Sequence, residues 1–236
     1  MGVVKRSRKR YLSVSKGKLG YKPSQSEIDE GNPEIVTVNY QDDQGVDKIT
    51  YKIYIDGFIG MITNMEYTDG DYGKKFELAI TDMDETFTLQ LTPSGSMHND
   101  LINVLMNTDF NENIELYSFL GKTNKGKDKS VIMIKQRGEN VKRKCTKANP
   151  GNMPQATQIQ GGIDDGKWDF KPIDNFFFNW VTNEGKALLE QTGNISNSSE
   201  KKSVYTEEQP EEKNNPAVIK EEPSTDLPEA DDDLPF

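Results

Sequence analysis

Cysteine, histidine and long apolar runs are scarce in this sequence, and each scarcity excludes a class of protein. The single cysteine, Cys145, cannot form an intrachain disulfide, and no cysteine–histidine cluster offers a metal site. The only histidine, His98, has no evident nucleophile partner for a catalytic triad. No stretch approaches the ~20 apolar residues of a membrane helix, and no apolar signal-peptide segment follows the charged run Lys5–Arg10. We expect a soluble, cytoplasmic protein with no metal, cofactor or membrane partner.

The negative charge of the chain is concentrated at one end. The 236 residues carry a formal net charge of −10, and residues 194–236 alone hold 12 acids and 4 bases. Residues 1–22 hold 8 bases and no acid, and residues 121–148 hold 10 bases and 2 acids. These two basic segments are typical of a nucleic-acid binder, even though the overall pI is acidic.

Composition divides the chain into three parts. Hydrophobic residues make up 33% of it, which is below the globular norm and indicates an unfolded portion. We predict a basic N-terminal arm over residues 1–33, a folded domain over 34–193 and a disordered acidic tail over 194–236. Three interpretations of the arm stay open: a segment lying along a phosphate backbone, a solvated tail, or a nuclear-localisation patch.

Alternating side chains predict a three-strand meander between residues 34 and 91. Its first strand is one long run, Asp47–Tyr67, interrupted by Gly57 and Gly60, where a strand must coil or bulge. Alternation along this run places one set of residues on one face: Ile49, Tyr51, Ile53, Ile55, Ile59 and Met61. The opposite face then carries Lys52, Tyr54, Phe58 and Ile62.

A change of period follows the meander. Residues 94–107 have helical spacing, residues 113–120 and 130–136 have strand spacing, and residues 174–191 form a second helical pattern. The resulting order β-β-β-α-β-β predicts a mainly β protein built on a five-stranded OB-fold. In this Greek-key barrel the helix lies between strands 3 and 4, and single strands bind across the strand 2–3 face and adjoining loops. The C-terminal helix is an addition to the barrel.

Binding a single strand requires cations for the phosphates and flat rings on which bases stack. Residues of both kinds occur on the predicted outer face of the strands and in the strand 4–5 loop. The same face is alternatively a packing surface for the terminal helix or for another subunit. The candidate residues are Lys52, Tyr54, Phe58, Tyr72, Lys74, Lys75, Tyr117, Phe119, Lys122, Lys125, Lys127, Lys129, Arg137, Lys142, Arg143 and Lys144.

Two features that suggest an enzyme have simpler explanations. Residues 121–127 match part of a phosphate-binding P-loop, but Asp128 replaces the required Ser or Thr and the segment lies between strands. Acids at Asp82, Asp84, Glu85 and residues 164–165 suit Mg²⁺, yet their placement in turns explains them. We therefore expect a binding protein, and not an enzyme.

The sequence ends in three acids followed by an apolar tip: Asp231, Asp232, Asp233, Leu234, Pro235 and Phe236. A basic cleft with a small apolar pocket on a partner suits such an ending; the alternative is an ordinary solvated tail. The six residues resemble the tip of bacterial and phage single-stranded DNA-binding proteins, usually Asp-Asp-Asp-Ile-Pro-Phe. Leu234 is the only departure.

The resemblance implies a protein that coats and protects single-stranded DNA. Its tip would recruit replication, recombination and repair proteins, and its tail would compete with DNA for the basic groove. A strand-annealing or recombination-mediator protein is the first alternative, and a metal-dependent nuclease is the second. The arm and the terminal helix are not part of the usual bacterial form, so a monomer and a dimer stay open as alternatives to its tetramer, and self-association stays open with them.

Overall fold

The protein is mainly β. The computed structural model describes residues 8–41, 44–70, 73–83, 85–123, 126–160 and 166–194. The strands are β1 Arg8–Ser15, β2 Lys18–Tyr21, β3 Ile35–Gln41, β4 Asp47–Ile55, β5 Gly57–Gly70, β6 Gly73–Asp82, β7 Glu85–Leu91, β8 Ile114–Lys122, β9 Asp128–Gln136, β10 Glu139–Asn140, β11 Thr157–Gln158 and β12 Trp168–Asp169. The helices are α1 Gln25–Asp29, α2 Ser96–Leu105, α3 Lys171–Trp180 and α4 Lys186–Gln191, and the π turn Val181–Gly185 joins α3 to α4. Among these helices, none has the length and apolar character needed to cross a membrane.

Ten strands form one sheet with two free ends. Their order is β10-β9-β8-β5-β6-β7-β1-β2-β4-β3, and β11 pairs only with β12. Every neighbouring pair in the large sheet is antiparallel except β1 and β7, which run parallel. Over the described ranges the ladder does not close into a barrel.

The predicted elements between residues 57 and 136 are confirmed. Strands β5, β6 and β7 form the meander, α2 follows it, and β8 and β9 pair beyond the helix. The predicted C-terminal helix is also present as α3, the π turn and α4. The apolar positions that carried these predictions line the core, as Phe76, Leu89, Ile114 and Ile134 illustrate.

The predicted single strand over residues 47–67 is wrong. The chain breaks at Asp56 and changes partners, because β4 pairs with β2 and β3 whereas β5 pairs with β6 and β8. A register shift between Ile62 and Asn64 interrupts β5 again. Since strand residues alternate faces, each irregularity reverses the side that faces the core. Ile59 is consequently 57% exposed, although it was predicted on the same side as the buried Ile53.

Two segments of the predicted basic arm are strands of the sheet. Arg8–Ser15 lies parallel to β7, and Lys18–Tyr21 pairs with both β1 and β4. Leu12 of β1 and Leu19 of β2 are fully buried in the core. Burying two leucines gives the segment a hydrophobic anchor that a detached arm does not have.

The short helix α1 extends this anchoring. Ser24 and Glu27 form a reciprocal capping box, and Arg10 donates to the Glu27 carboxylate at 2.9 Å. The backbone N–H of Ser24 also donates to that carboxylate and, with the other hydrogen bonds, lowers the pKa of Glu27 to about 2.

The turn between β1 and β2 joins the N-terminal strands to β8 and β9. The Gly17 backbone N–H donates to Ser130 Oγ at 2.9 Å, and Ser118 Oγ donates to the Gly17 carbonyl at 3.0 Å. Gly17 has φ +73°, and a Cβ there would overlap the backbone of Leu120. The turn therefore contacts β8 and β9 closely, and these contacts require glycine at position 17.

Helix α2 is covered on all sides, and its buried polar groups have partners on the surrounding elements. His98 shares a hydrogen bond of 2.9 Å with the Tyr67 hydroxyl of β5, and its other ring nitrogen lies 2.8 Å from Asn99 Oδ1. Asn99 donates to Asp174 of α3 at 2.9 Å. Burial lowers the pKa of His98 and raises that of Tyr67. This network joins β5, α2 and α3.

Replacing Gly17 with alanine should destabilise the fold more than the same change at Gly31. Both glycines have positive φ, but nothing lies within 4 Å of a Cβ at Gly31. Gly31→Ala should reduce the free energy of unfolding by about 1–2 kcal/mol through backbone strain alone. Gly17→Ala should reduce the free energy of unfolding by about 1–3 kcal/mol more than Gly31→Ala, because its Cβ would overpack against the backbone of Leu120. Urea denaturation measures both, and equal losses would show that the turn does not need its close contact.

Stability should fall as the pH is lowered below 6.5, the ordinary pKa of histidine. Burial holds the folded-state pKa of His98 below that value, so the unfolded chain binds more protons and is favoured in acid. The contribution of His98 to the free energy of unfolding is then fully present above pH 7. Below pH 7 the free energy of unfolding declines by at most about 1.4 kcal/mol per pH unit.

His98 is the only histidine, so its variant isolates this effect. His98→Gln should abolish the difference in urea midpoint between pH 7.5 and pH 5.5. An identical pH dependence in the wild type and the variant would contradict the assignment.

Candidate nucleic-acid interface

The outer surface of β1, β2 and β4 carries lysines and tyrosines side by side. Ser13 of β1 lies opposite Gly20 of β2, and Gly20 lies opposite Tyr54 of β4, so alternate residues of the three strands share this surface. We call it the lysine–tyrosine face. It consists of Lys9, Tyr11, Lys18, Lys52 and Tyr54.

Both tyrosine rings of this face have a lysine nearby. Lys18 Nζ lies 5.7 Å from the centroid of the Tyr54 ring, and Lys9 Nζ lies 5.0 Å from that of Tyr11. A Cβ at Gly20 would lie 3.0 Å from Tyr54 Cδ1, so glycine leaves room for the ring to lie across β2. Tyr11 is 48% exposed. The face therefore combines cations with accessible aromatic surface.

A groove of about 540 Å³ adjoins the same face. Lys9, Arg10, Tyr11 and Lys22 line it together with two serine hydroxyls. The Arg10 guanidinium is already engaged by Glu27, at 2.9 Å, and Lys9 Nζ lies 3.6 Å from a Glu77 oxygen. Within the described residues Lys22 has no carboxylate partner, which leaves its charge available to a phosphate.

A second exposed surface lies on β8 and β9. The rings of Tyr117 and Phe119 are stacked, with centroids 6.2 Å apart and planes 24° from parallel. Met133 lies directly opposite Tyr117 and Val131 directly opposite Phe119. We call these four residues the aromatic face. Lys135 Nζ lies 4.3 Å from the Tyr117 ring centroid and also 3.1 Å from Glu115 Oε1.

The β1–β2 turn contacts the two strands that carry the aromatic face. Lys16 and Gly17 follow β1 of the lysine–tyrosine face, and Gly17 bonds to Ser118 and Ser130, which neighbour Phe119 and Val131 in sequence. Lys16 is exposed at this junction. Because strand residues alternate faces, Ser118 and Ser130 and the turn bonded to them lie on the side of β8 and β9 opposite Phe119 and Val131.

The structure confirms the predicted exposure of some ring residues and rejects that of one. Tyr54, Tyr117 and Phe119 lie on outer surfaces, as predicted. Phe58 does not: it packs against the core, with its ring centroid 4.3 Å from that of Phe87. The alternation carried across the break at Asp56 had placed Phe58 on the wrong side.

Several predicted phosphate-binding cations are paired with carboxylates. Lys122 pairs with Asp128, and Arg137 forms a two-pronged contact with Glu112. Lys129 and Arg143 both approach the buried Asp100 of α2, at 3.4 and 3.0 Å. These two cations compensate a buried charge, so their first role is structural.

The remaining predicted cations lie in three separate places. Lys74 and Lys75 begin β6, and Lys74 Nζ lies 5.6 Å from the Phe178 ring of α3. Lys127 is exposed in the β8–β9 loop, and Lys142 and Lys144 are exposed after β10. Tyr72, Lys125 and the whole tip Asp231–Phe236 lie outside the described residues.

Sequence reasoning assigned Lys9, Tyr11, Lys18 and Lys22 to the basic N-terminal arm and did not place them beside Lys52 and Tyr54. The alternation of Lys9, Tyr11 and Ser13 with Arg10, Leu12 and Val14 is the signal that identifies β1 as a strand. The strand's position between β7 and β2 could not be inferred from it, because pairing depends on distant residues.

In the described part of the chain, no group of three or more His, Cys, Asp or Glu side chains is arranged to hold a metal ion.

Comparisons of the sequence and structure with protein-family models, curated proteins and solved structures find no match. Functional inference therefore depends on the geometry of the two faces and on the sequence of the tip.

Proposed function

We propose that the protein binds single-stranded DNA across the lysine–tyrosine face and the aromatic face. The stacked pair Tyr117–Phe119 beside lysine-bearing strands is the observation that carries this proposal. Exposed rings offer stacking surfaces for bases of any sequence, and neighbouring lysines balance the phosphates. Duplex DNA keeps its bases inside the helix, so this surface favours unpaired strands.

The OB-fold interpretation is part of the proposal. Strands β5 to β9 and α2 have the element order of that barrel, and the β1–β2 hairpin lies between β7 and the β8–β9 pair. In this view the N-terminal hairpin enlarges the binding surface that the barrel strands provide.

Partner recruitment is assigned to Asp231–Phe236 because the six residues resemble the tip of bacterial and phage single-stranded DNA-binding proteins. We accordingly propose a cytoplasmic, non-enzymatic protein that coats DNA strands and attracts replication, recombination and repair proteins. The carboxylates and the phenylalanine suit a basic cleft with an apolar pocket on such a partner.

Removing both rings of the stacked pair should weaken single-strand binding. A fluorescence titration with oligo-dT at two salt concentrations, beside a duplex of equal length, measures the affinity. Each ring should contribute about 1–3 kcal/mol, so Tyr117→Ala/Phe119→Ala should bind oligo-dT at least tenfold more weakly. Higher salt should weaken binding by both proteins, because lysine contacts release condensed counterions.

Tyr51→Ala is the matched control, since Tyr51 is an exposed tyrosine of β4 that lies between Lys52 and Thr50 and therefore faces the opposite side of the sheet from Lys52 and Tyr54. It should bind like the wild type. Equal or better binding of the wild type to duplex would overturn the proposal, because cations alone would then explain the affinity.

Deleting residues 231–236 should abolish recruitment of a partner and tighten DNA binding at low salt. The three carboxylates removed would otherwise compete with phosphates for the same lysines. Affinity capture from host extract, with full-length and shortened protein coupled at equal density, measures recruitment, and the oligo-dT titration measures competition. Unchanged DNA affinity at low salt would rule out the competition, and unchanged capture would rule out the tip as the recruiting element.

A further inference from the structure

A pocket of about 660 Å³ lies between the end of α2, the segment after β10, and the helical segment formed by α3 and the π turn. This volume falls within the range of about 300–1,000 Å³ typical of small-molecule sites. Lys142 and Lys144 contribute to one wall, and Phe176 and Trp180 of α3 contribute to another. Cations and aromatic rings thus meet in a single cavity away from the stacked pair.

The wall that carries the lysines is held in place before any ligand binds. Asn103 of α2 donates to the Cys145 carbonyl at 2.8 Å and accepts from its N–H at 2.7 Å. Asn107 donates to the Lys142 carbonyl at 3.0 Å, and the Lys144 N–H donates to the Asn103 carbonyl at 3.0 Å. A fixed backbone reduces the entropy lost when the neighbouring side chains engage a ligand.

The charges of this wall are available. Arg143 is directed to the buried Asp100, at 3.0 Å, whereas Lys142 and Lys144 on either side of it are exposed. Neither lysine has a carboxylate partner in the described ranges. Two unpaired ammonium groups on a rigid segment suit a phosphate.

The opposite wall has a different character. Glu184 and Asn179 line it, and Glu184 belongs to the π turn, a feature that occurs frequently at functional sites. A carboxylate repels phosphate but accepts hydrogen bonds from the N–H groups of a nucleobase. The pocket therefore has a phosphate-binding side, formed by the lysines, and a side on α3 and the π turn that combines aromatic rings with groups that accept base N–H groups.

The pocket is also connected to the aromatic face. The Tyr117 hydroxyl donates to Asn140 Oδ1 at 2.7 Å, and Asn140 stands two residues before Lys142. A strand whose base stacks on Tyr117 can therefore continue along this segment to the two lysines. Nucleotides are joined by phosphates, so one strand can occupy both places.

We propose that this pocket binds one nucleotide, with its phosphate at Lys142 and Lys144 and its base between Phe176 and Glu184. For a nucleotide within a strand, the inference rests on the proposed function, because that strand reaches the pocket from the aromatic face. A free nucleoside monophosphate has the same chemistry and serves as an independent probe.

Trp180 reports on the pocket directly. The chain has two tryptophans, and Trp168 lies outside this pocket, so Trp168→Phe leaves Trp180 as the only tryptophan emitter. In this background, dTMP should change the Trp180 emission with saturation, whereas thymidine or inorganic phosphate at equal concentration should bind much more weakly. Lys142→Gln/Lys144→Gln should weaken dTMP binding by about tenfold or more, since charge-assisted hydrogen bonds are lost.

Lys147→Gln is the charge control, because Lys147 is exposed in the same segment but does not line the pocket. It should leave dTMP binding unchanged. Equal weakening by Lys147→Gln, or an equal response to thymidine, would overturn the assignment.

The oligo-dT and dTMP experiments distinguish a failure of the pocket proposal from a failure of the proposed function. Oligo-dT binding that depends on Tyr117 and Phe119 but leaves Trp180 unchanged, with no response to dTMP, would overturn the pocket and support the faces. A saturable dTMP response in a protein that does not bind oligo-dT would support a free-nucleotide pocket and overturn the proposed function.

Discussion

The burial of α2 on every side is the constraint on which much of the structure depends. A helix that is covered by the sheet, by α3 and by the segment after β10 cannot leave its polar side chains to water. His98, Asn99, Asp100 and Asn103 are all buried, and an unpartnered polar group there would cost about 1–3 kcal/mol. Together they contact β5, α3, β9 and the segment after β10, so the contacts of these four residues also position those parts.

This arrangement decides where positive charge remains available. Asp100 pairs with Lys129 and Arg143, Asp128 pairs with Lys122, and Glu112 pairs with Arg137. The basic segment of residues 121–148 is therefore much less available to phosphates than its composition suggests. Lys127, Lys142, Lys144 and Lys147 stay exposed in this segment. Lys16, Lys18 and Lys22 are exposed near the N-terminal strands and add charge that the composition of residues 121–148 does not include.

Local patterns in the sequence were sufficient for the elements whose partners are near in the chain. Strands β6 and β7 and the β8–β9 pair follow from alternation and turns, because hairpin partners are separated by a few residues. The exposure of Tyr117 and Phe119 followed from the same alternation. Phe58 was misplaced because one missed break at Asp56 inverts every later side-chain assignment until the next irregularity. Asp56-Gly57 is a dipeptide typical of turns, but the alternation on both sides of it was interpreted as one continuous strand.

Residue types and their spacing determined that the protein is mainly β, that helix α2 stands between the third and fourth strands of the predicted barrel, and that the chain ends in an acidic, apolar tip. These properties depend on local propensity and on covalent order, which the sequence contains directly. Tertiary structure alone decided that β1 pairs with β7 and that Lys18 lies beside Tyr54. It also decided that Arg143 forms an ion pair with Asp100 while Lys142 and Lys144 stay exposed. Such pairings join residues far apart in the chain, and their free energies depend on burial and geometry that exist only once the sheet has formed.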